Sequence, residues 1–368
     1  MLRPEVVSLL EAELYMQHIF DLIAAIPSLD IEAIEQARAR QGQLTKPAGS
    51  LGRLEEIAIK MAGISGQPLP AIGQKAVVVM AADHGVTVEG VSAYPAAVTP
   101  QMVHNFLRGG AAINVLARQA AATVTVVDIG VAADIAHPSL LSRKVSAGTA
   151  NMTRGSAMTR EQMQQALSVG IDVLESLHAR GVDLVATGEM GIGNTTAASA
   201  IVSCLLPAPA SLVTGRGTGI NDEQLAHKIA IIERALERNV PVSGDALDVL
   251  MKVGGLEIAG LVGVIIAAAA QRIPVVLDGF ISGAAALVAF RLAPAVRDYL
   301  FAGHRSVERG HRLVLEAMDL APLLDLDLRL GEGTGAVLAM GIIEAALLTH
   351  REMATFAEAG VNEREEPA

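Results

Sequence analysis

The sequence predicts an α/β fold: a parallel sheet with helices on both faces, joined by a small helical domain built from both chain ends. Three observations carry this. Apolar residues make up 51% of the chain but aromatics only 2%. The core is therefore built from Ala, Val, Ile and Leu, a palette suited to parallel strands buried on both faces. Five short apolar runs alternate with helix-like segments, the pattern of βαβ units. Each run then breaks into glycine plus a carboxylate, His, Ser or Thr. In open parallel sheets the ligand crevice lies beyond the carboxyl ends of the strands. One such end is an ordinary turn; five together point to a site.

The elements follow in order. Residues 5–62 read as helices, interrupted near Pro27 and at Lys46-Pro47-Ala48-Gly49-Ser50-Leu51-Gly52. Beyond that turn Leu54, Ile57, Ala58 and Met61 share one helical face. The apolar run 76–82 ends in Asp83-His84-Gly85, and 124–127 ends in Asp128-Ile129-Gly130. Run 184–186 ends in Thr187-Gly188-Glu189, 273–277 in Asp278-Gly279-Phe280, and 299–302 in Gly303-His304-Arg305-Ser306. Helix resumes over 308–318 and 334–357. Residues 1–62 and 308–368 are thus assigned to the helical domain and 63–307 to the α/β domain. The acidic tail 358–366 reads as solvated or disordered.

Composition also excludes functions. The net charge of −11 argues against nucleic acid or an anionic membrane as partner. The apolar run 258–270 is too short to span a bilayer and reads as a buried helix. The first fourteen residues carry Arg3, Glu5, Glu11 and Glu13 and lack the pattern of a signal peptide. Cys204 is the single cysteine, so no intramolecular disulfide or cysteine metal cluster forms, which suits the cytoplasm. Asp83-His84 lacks a metal-ligand spacing and reads as a hydrogen-bonded turn; no metal is expected.

Two glycine segments invite an anion. Gly188-Glu189-Met190-Gly191-Ile192-Gly193-Asn194-Thr195-Thr196 leads from a strand into a helix. Its backbone N–H groups and helix N-terminus suit a phosphate, although it matches neither a Walker loop nor the dinucleotide spacing. Gly215-Arg216-Gly217-Thr218-Gly219 reads as a flexible loop, with a phosphate or sugar contact as the alternative. Lys228, a surface lysine by default, is placed to neutralise a phosphate. Gly331-Glu332-Gly333-Thr334-Gly335 sets a carboxylate between two glycines ahead of an apolar helix. The residues alone leave open whether Glu332 is a solvated loop acid or a group that substrate approaches closely.

Together these segments resemble the nicotinate-nucleotide–dimethylbenzimidazole phosphoribosyltransferases of cobalamin lower-ligand synthesis. The resemblance spans Lys46 to Glu55, Ala82-Asp83-His84-Gly85-Val86, Gly188-Glu189-Met190-Gly191, and Asn194-Thr195-Thr196. It continues through Lys252-Val253-Gly254-Gly255, Leu277-Asp278-Gly279-Phe280, and Arg329-Leu330-Gly331-Glu332-Gly333. It implies a Rossmann-like sheet, a small helical domain from both chain ends, a homodimer and no cofactor. It implies Glu332 as catalytic base and Glu189 as a second pocket acid. Tyr94, Met102, Met190 and Leu330 would line the base pocket. Gly191, Gly193, Asn194, Thr195, Thr196, Lys228, Asp278 and Ser306 would lie near the ribose phosphate. Some family members carry small or polar residues in place of Tyr94 and Met102. Methionine adapts to irregular shapes, so a broader acceptor range is expected. The first fifteen or so residues extend beyond the shortest members and are assigned no role.

The implied reaction moves 5-phosphoribose from nicotinate mononucleotide to 5,6-dimethylbenzimidazole or a related base. Two rivals stand beside it: an NAD-dependent dehydrogenase, which needs a proper phosphate-loop spacing, and a non-catalytic binder of a phosphorylated ligand. A nucleotide hydrolase with water as acceptor is a third.

Overall fold

The computed structural model describes residues 16–362. The N-terminal extension and the acidic tail beyond residue 362 lie outside the described residues. Residues 16–25 are helical, and α1 (Ile31–Gln43) and α2 (Arg53–Ser65) follow. Asp30 caps α1 by accepting the Ala33 N–H at 2.9 Å. The α/β part contains β1 (Gln74–Ala82), α3 (Val98–Leu107), α4 (Ala112–Gln119), β2 (Ala122–Gly130), β3 (Leu140–Ser142), α5 (Arg160–His178), β4 (Val182–Met190) and α6 (Asn194–Leu205). It continues with α7 (Asp222–Asn239), α8 (Ala246–Val253), α9 (Leu256–Ala270), β5 (Val275–Leu277), α10 (Phe280–Leu292) and β6 (Leu300–Ala302). Helices α11 (Arg309–Ala317) and α12 (Thr334–Glu352) follow.

All six strands are parallel, in the order β3-β2-β1-β4-β5-β6. Successive side chains of a strand point to opposite faces. Every residue of β1 after Gln74 is buried, so the sheet is covered on both sides. The chain reverses its winding between β1 and β4, which opens a crevice at the carboxyl ends of those strands. The five predicted strands are present. The sixth, β3, went unpredicted because it is short and only partly buried.

The apolar run 258–270 lies within α9, whose residues are buried from Leu256 to Ala269. No helix among the described residues is long and apolar enough to cross a membrane. Instead α9 crosses α5 almost backbone to backbone. A Cβ at Gly170 would lie 1.9 Å from the Gly260 carbonyl oxygen, and one at Gly263 would lie 2.0 Å from the Leu167 carbonyl oxygen.

The chain ends meet. The Arg40 guanidinium donates to the His350 carbonyl at 2.7 Å, and the Thr45 N–H to the Ala354 carbonyl at 3.0 Å. Arg53 donates to the carbonyls of Ala321 and Pro322. α12 ends earlier than the predicted 357, at Glu352, because the chain turns extended at Met353 before a separate helical turn, Phe356–Ala359. Ala336, Val337, Ala339, Met340 and Ile343 of α12 join the same hydrophobic core as the strands.

The α5–α9 crossing has no room for even one methyl group. Gly170→Ala is expected to lower the unfolding free energy by about 3 kcal/mol, the upper part of the overpacking range. Urea denaturation followed by far-UV circular dichroism checks this; an unchanged midpoint would refute the contact.

Candidate active site

A cavity of about 520 Å³ opens beyond the carboxyl ends of β4, β5 and β6. Residues 189–195 after β4, Gly279–Ile281 after β5, and His304, Ser306 and Glu308 after β6 form its walls. Val91, Ser92, Tyr94, Val98 and Met102, from the segment after β1, face them, and residues 329–332 close the rim. A second cavity of about 420 Å³ lies at the opposite end of the sheet, with Arg180 as its only charged lining residue. That cavity has neither a glycine turn nor a carboxylate, so the chemistry belongs to the first.

Two of the five predicted strand ends stay out of the crevice. The Asp128 carboxylate accepts the Val131 N–H at 2.8 Å, closing its own turn. Asp83 accepts the Ala132 N–H at 2.8 Å, and buried His84 shares a 2.6 Å hydrogen bond with buried Glu257. These groups hold loops to one another. β1 reaches the cavity only through the segment that follows.

Glu332 sits in a turn built for close approach. Gly331, Glu332 and Gly333 are all left-handed, with φ of 85°, 67° and 98°. Such a conformation disfavours a residue with a Cβ and marks a held, strained turn. Asp278 supplies the hold. Its buried carboxylate accepts the N–H groups of Gly335 (2.8 Å), Ala336 (3.1 Å) and Gly333 (3.1 Å), capping α12. Across the turn, a Cβ at Gly188 would lie 2.4 Å from the Glu332 carbonyl oxygen, so glycine there lets β4 and the turn touch.

The Glu332 side chain is buried and oriented. Oε2 accepts the Ile113 N–H at 3.2 Å, in the first turn of α4. Oε1 takes no hydrogen bond from the described residues. Burial pushes its pKa above the ordinary carboxylate value; the Ile113 N–H opposes this and the nearby charge of Asp278 adds to it. One carboxylate oxygen is fixed while the other remains open, as a general base requires.

The opposite wall is suited to an anion. Gly193, with φ of 94°, caps α6. Thr99 takes the Ile192 N–H and the Gly191 carbonyl takes that of Asn194. The N–H groups of Gly193 and Thr195 have no acceptor among the described residues. Lys228 is 1% exposed, and its ammonium donates to Thr195 Oγ1 at 2.7 Å. No carboxylate of the described residues lies within 4 Å of it. Burial pulls its pKa down to about 8, opposed by the negative charge of Glu308. A buried ammonium with spare donors beside a helix N-terminus calls for an anion.

Other acids are neutralised by their surroundings. Burial, with the like charges of Asp278 and Glu257, pushes Glu189 up to about 8, while the hydrogen bond from the Asn194 amide pulls the other way. Burial pushes Asp278 up to about 7 against its backbone N–H partners. Burial lowers His304 to about 4, so its 3.7 Å approach to Asp278 is not an ion pair.

Of the residues expected at the site, Tyr94, Met102, Glu189, Met190, Gly191, Gly193, Asn194, Thr195, Ser306, Leu330 and Glu332 line the cavity. Tyr94 and Leu330 are more than half exposed at its mouth. Three expected residues do not line it. Thr196 is fully buried below the turn, Lys228 sits behind Thr195, and Asp278 is occupied with α12. Lys228 is no surface lysine. Sequence reasoning missed Glu308 and His304 as lining residues; the His304–Ser306 strand end was the nearest signal.

Fold and site define an α/β protein that holds a phosphorylated ligand on a helix N-terminus, opposite a buried carboxylate. Comparison with known proteins narrows this. A phosphoribosyltransferase family model matches residues 26–361. The nicotinate-nucleotide–dimethylbenzimidazole phosphoribosyltransferase of Chloroflexus aggregans is 64% identical over 342 residues, 93% of this chain and 97% of that protein. That of Geobacter sulfurreducens is 57% identical over 344 residues, 93% of this chain and 98% of that protein. The crystal structure of CobT from Thermus thermophilus superposes with a TM-score of 0.87 at 52% identity, covering 90% of this chain and all of that one. The chain belongs to this phosphoribosyltransferase family.

The Glu189 environment predicts a protonated carboxyl at neutral pH. Infrared difference spectra are expected to show a carboxylic-acid carbonyl band that vanishes as pH rises through about 8. Glu189→Gln should remove it. Its survival in that variant would assign the band elsewhere.

Proposed function

We propose that this enzyme transfers 5-phosphoribose from nicotinate mononucleotide to 5,6-dimethylbenzimidazole or a related base, giving α-ribazole 5′-phosphate and nicotinate. The observation that carries the reading is Glu332: buried, with Oε2 fixed by Ile113 and Oε1 free, on the cavity whose other wall is the Gly193–Thr195 turn. The substrates named for the relatives fit a site with one base and one anion pocket.

The chemistry needs little more. The pyridinium nitrogen of the donor leaves as a neutral ring nitrogen, so no general acid is required. The nucleophile is an imidazole-type nitrogen whose opposite N–H becomes acidic as the new bond forms. Glu332 Oε1 accepts that proton, which is worth about 10²–10⁴-fold. Attack from the face opposite nicotinate inverts the anomeric centre. Positioning and exclusion of water protect the oxocarbenium-like centre.

Each site residue has a role in this reading. The Gly191–Thr195 turn and Lys228 hold the phosphate. Tyr94, Met102, Met190 and Leu330 form an apolar, adaptable slot for the acceptor. Thr196 and Asp278 act from behind the wall, one under α6 and the other holding the Glu332 turn. Assembly as a cytoplasmic homodimer belongs to the same reading and rests on the family resemblance. The dehydrogenase reading loses its support, because the glycine turn follows β4 and lacks the dinucleotide spacing.

Incubation of the purified protein with nicotinate mononucleotide and 5,6-dimethylbenzimidazole should give α-ribazole 5′-phosphate by mass spectrometry; absence of product overturns the reading. Glu332→Gln should lower kcat by about 10²–10⁴-fold with donor binding nearly intact. Glu332 must be ionised to act, and its pKa is raised. Activity is therefore lost as pH falls through a value above the ordinary carboxylate range. A kcat/KM profile flat down to pH 4.5 would refute this. Lys228→Ala should raise the donor KM about 10–100-fold, the worth of a charged hydrogen bond, while an unchanged KM would remove Lys228 from the phosphate site.

A further inference from the structure

Glu308 has no part in the chemistry above. It is 8% exposed, yet its side chain forms part of the cavity wall. Oε1 accepts the Gly217 N–H at 2.9 Å. Oε2 is buried and has no hydrogen-bond partner among the described residues. The loop is folded hard against it: a Cβ at Gly215 would lie 2.0 Å from Oε2. Gly217 in turn reaches the anion wall. A Cβ there would lie 2.9 Å from Thr195 Oγ1 and 3.3 Å from the Lys228 ammonium. Glu308, the Gly215–Gly219 loop, Thr195 and Lys228 therefore form one cluster.

A buried carboxylate oxygen without a donor is costly, and in a cavity wall it is satisfied by what enters the cavity. The donor is not Lys228, which bonds Thr195 and lies more than 4 Å from any carboxylate oxygen of the described residues. The donor is not a phosphate dianion either, which offers only acceptors. What fits is a neutral hydroxyl carried by the molecule whose phosphate rests on the α6 turn. On the proposed function, the sugar of that molecule spans the space between this turn and Glu332.

We infer that Glu308 accepts hydrogen bonds from the ribose hydroxyls of the donor and makes the site select ribose phosphates over deoxyribose phosphates. This rests on the phosphoribosyl reading but can fail separately from it. The Gly215–Gly219 loop excludes water from the contact, which sharpens the selection. A site built to bond a hydroxyl rejects the analogue that lacks it, because its own polar group is then left unpaired.

The test is calorimetric titration of the full-length wild type, Glu308→Gln and Glu308→Ala with ribose 5-phosphate, 2-deoxyribose 5-phosphate and 2,3-dideoxyribose 5-phosphate. The wild type should bind ribose 5-phosphate about 10–100-fold more tightly than the dideoxy sugar. Glu308→Gln keeps an oxygen for the Gly217 N–H but replaces the free oxygen by an amide donor. It should lose that preference while binding the dideoxy sugar within about twofold of wild type. The inference is overturned if the wild type shows no preference, or if Glu308→Gln retains it. It is equally overturned if Glu308→Gln weakens all three sugars alike, which would make Glu308 a loop anchor only. Should Glu308→Ala misfold, the wild-type and Gln titrations decide alone. Absence of phosphoribosyl transfer by the wild type would refute the proposed function and leave these affinities readable.

Discussion

The site depends on one restraint: the carboxylate of Asp278 holding the start of α12. Three consecutive left-handed residues, one of them not glycine, form a turn the chain would not keep unaided. A left-handed non-glycine residue alone costs on the order of 1–2 kcal/mol. Asp278 offsets this by accepting from three N–H groups that the helix start would otherwise leave unpaired. Asparagine has one acceptor oxygen and one donor nitrogen, so it cannot take donors on both sides. Glycines at 188, 333 and 335 let the turn settle onto the strand ends; at Gly335 a Cβ would lie 1.9 Å from His304 Nδ1. The same settling brings Glu332 to the Ile113 N–H. Position, orientation and raised pKa of the base thus share one origin.

A cavity that holds an anion is nevertheless lined or backed by Glu189, Asp278, Glu308 and Glu332, in a chain of net charge −11. Burial resolves the conflict. It pushes Glu189 to about 8 and Asp278 to about 7, so near neutrality these two carry much less negative charge than exposed acids would. Glu332 is kept apart from the phosphate wall and tied to a helix N-terminus. Lys228 faces the anion with no carboxylate within 4 Å among the described residues. The local field, not the net charge, decides what enters.

Much of this was legible in the residues. Unbroken apolar runs announced β1, β4 and the buried α9, because elements covered on all sides need no polar face. The glycine-flanked Glu332 and the Gly191–Gly193 turn were legible because strained or closely approached backbone demands glycine. Position was less legible. Asp278 and Ser306 look alike as polar groups at strand ends, yet one points behind the wall and the other into the cavity. The direction depends on α12, which lies some fifty residues further along the chain. β3 is short and half-exposed, so it left no apolar run to notice. Glu308 follows a strand end by several residues and carries no glycine before it; only folding of the Gly215–Gly219 loop buries it.

The strand order 3-2-1-4-5-6 is also the order of dinucleotide-binding sheets, so what separates this site from a dehydrogenase must be local. In those sheets the phosphate turn follows β1. Here the β1 exit is filled by its own side chains. His84 is bonded to Glu257, and its ring packs so closely that a Cβ at Gly255 would lie 2.4 Å from it. A Cβ at Gly191 would lie 2.4 Å from the Ala82 carbonyl oxygen, so the β4 turn presses on the same exit. No pyrophosphate has room there, and the glycine turn has moved to β4. What remains is a single cavity of about 520 Å³ with one anion wall and one base, a space matched to a mononucleotide and a flat acceptor.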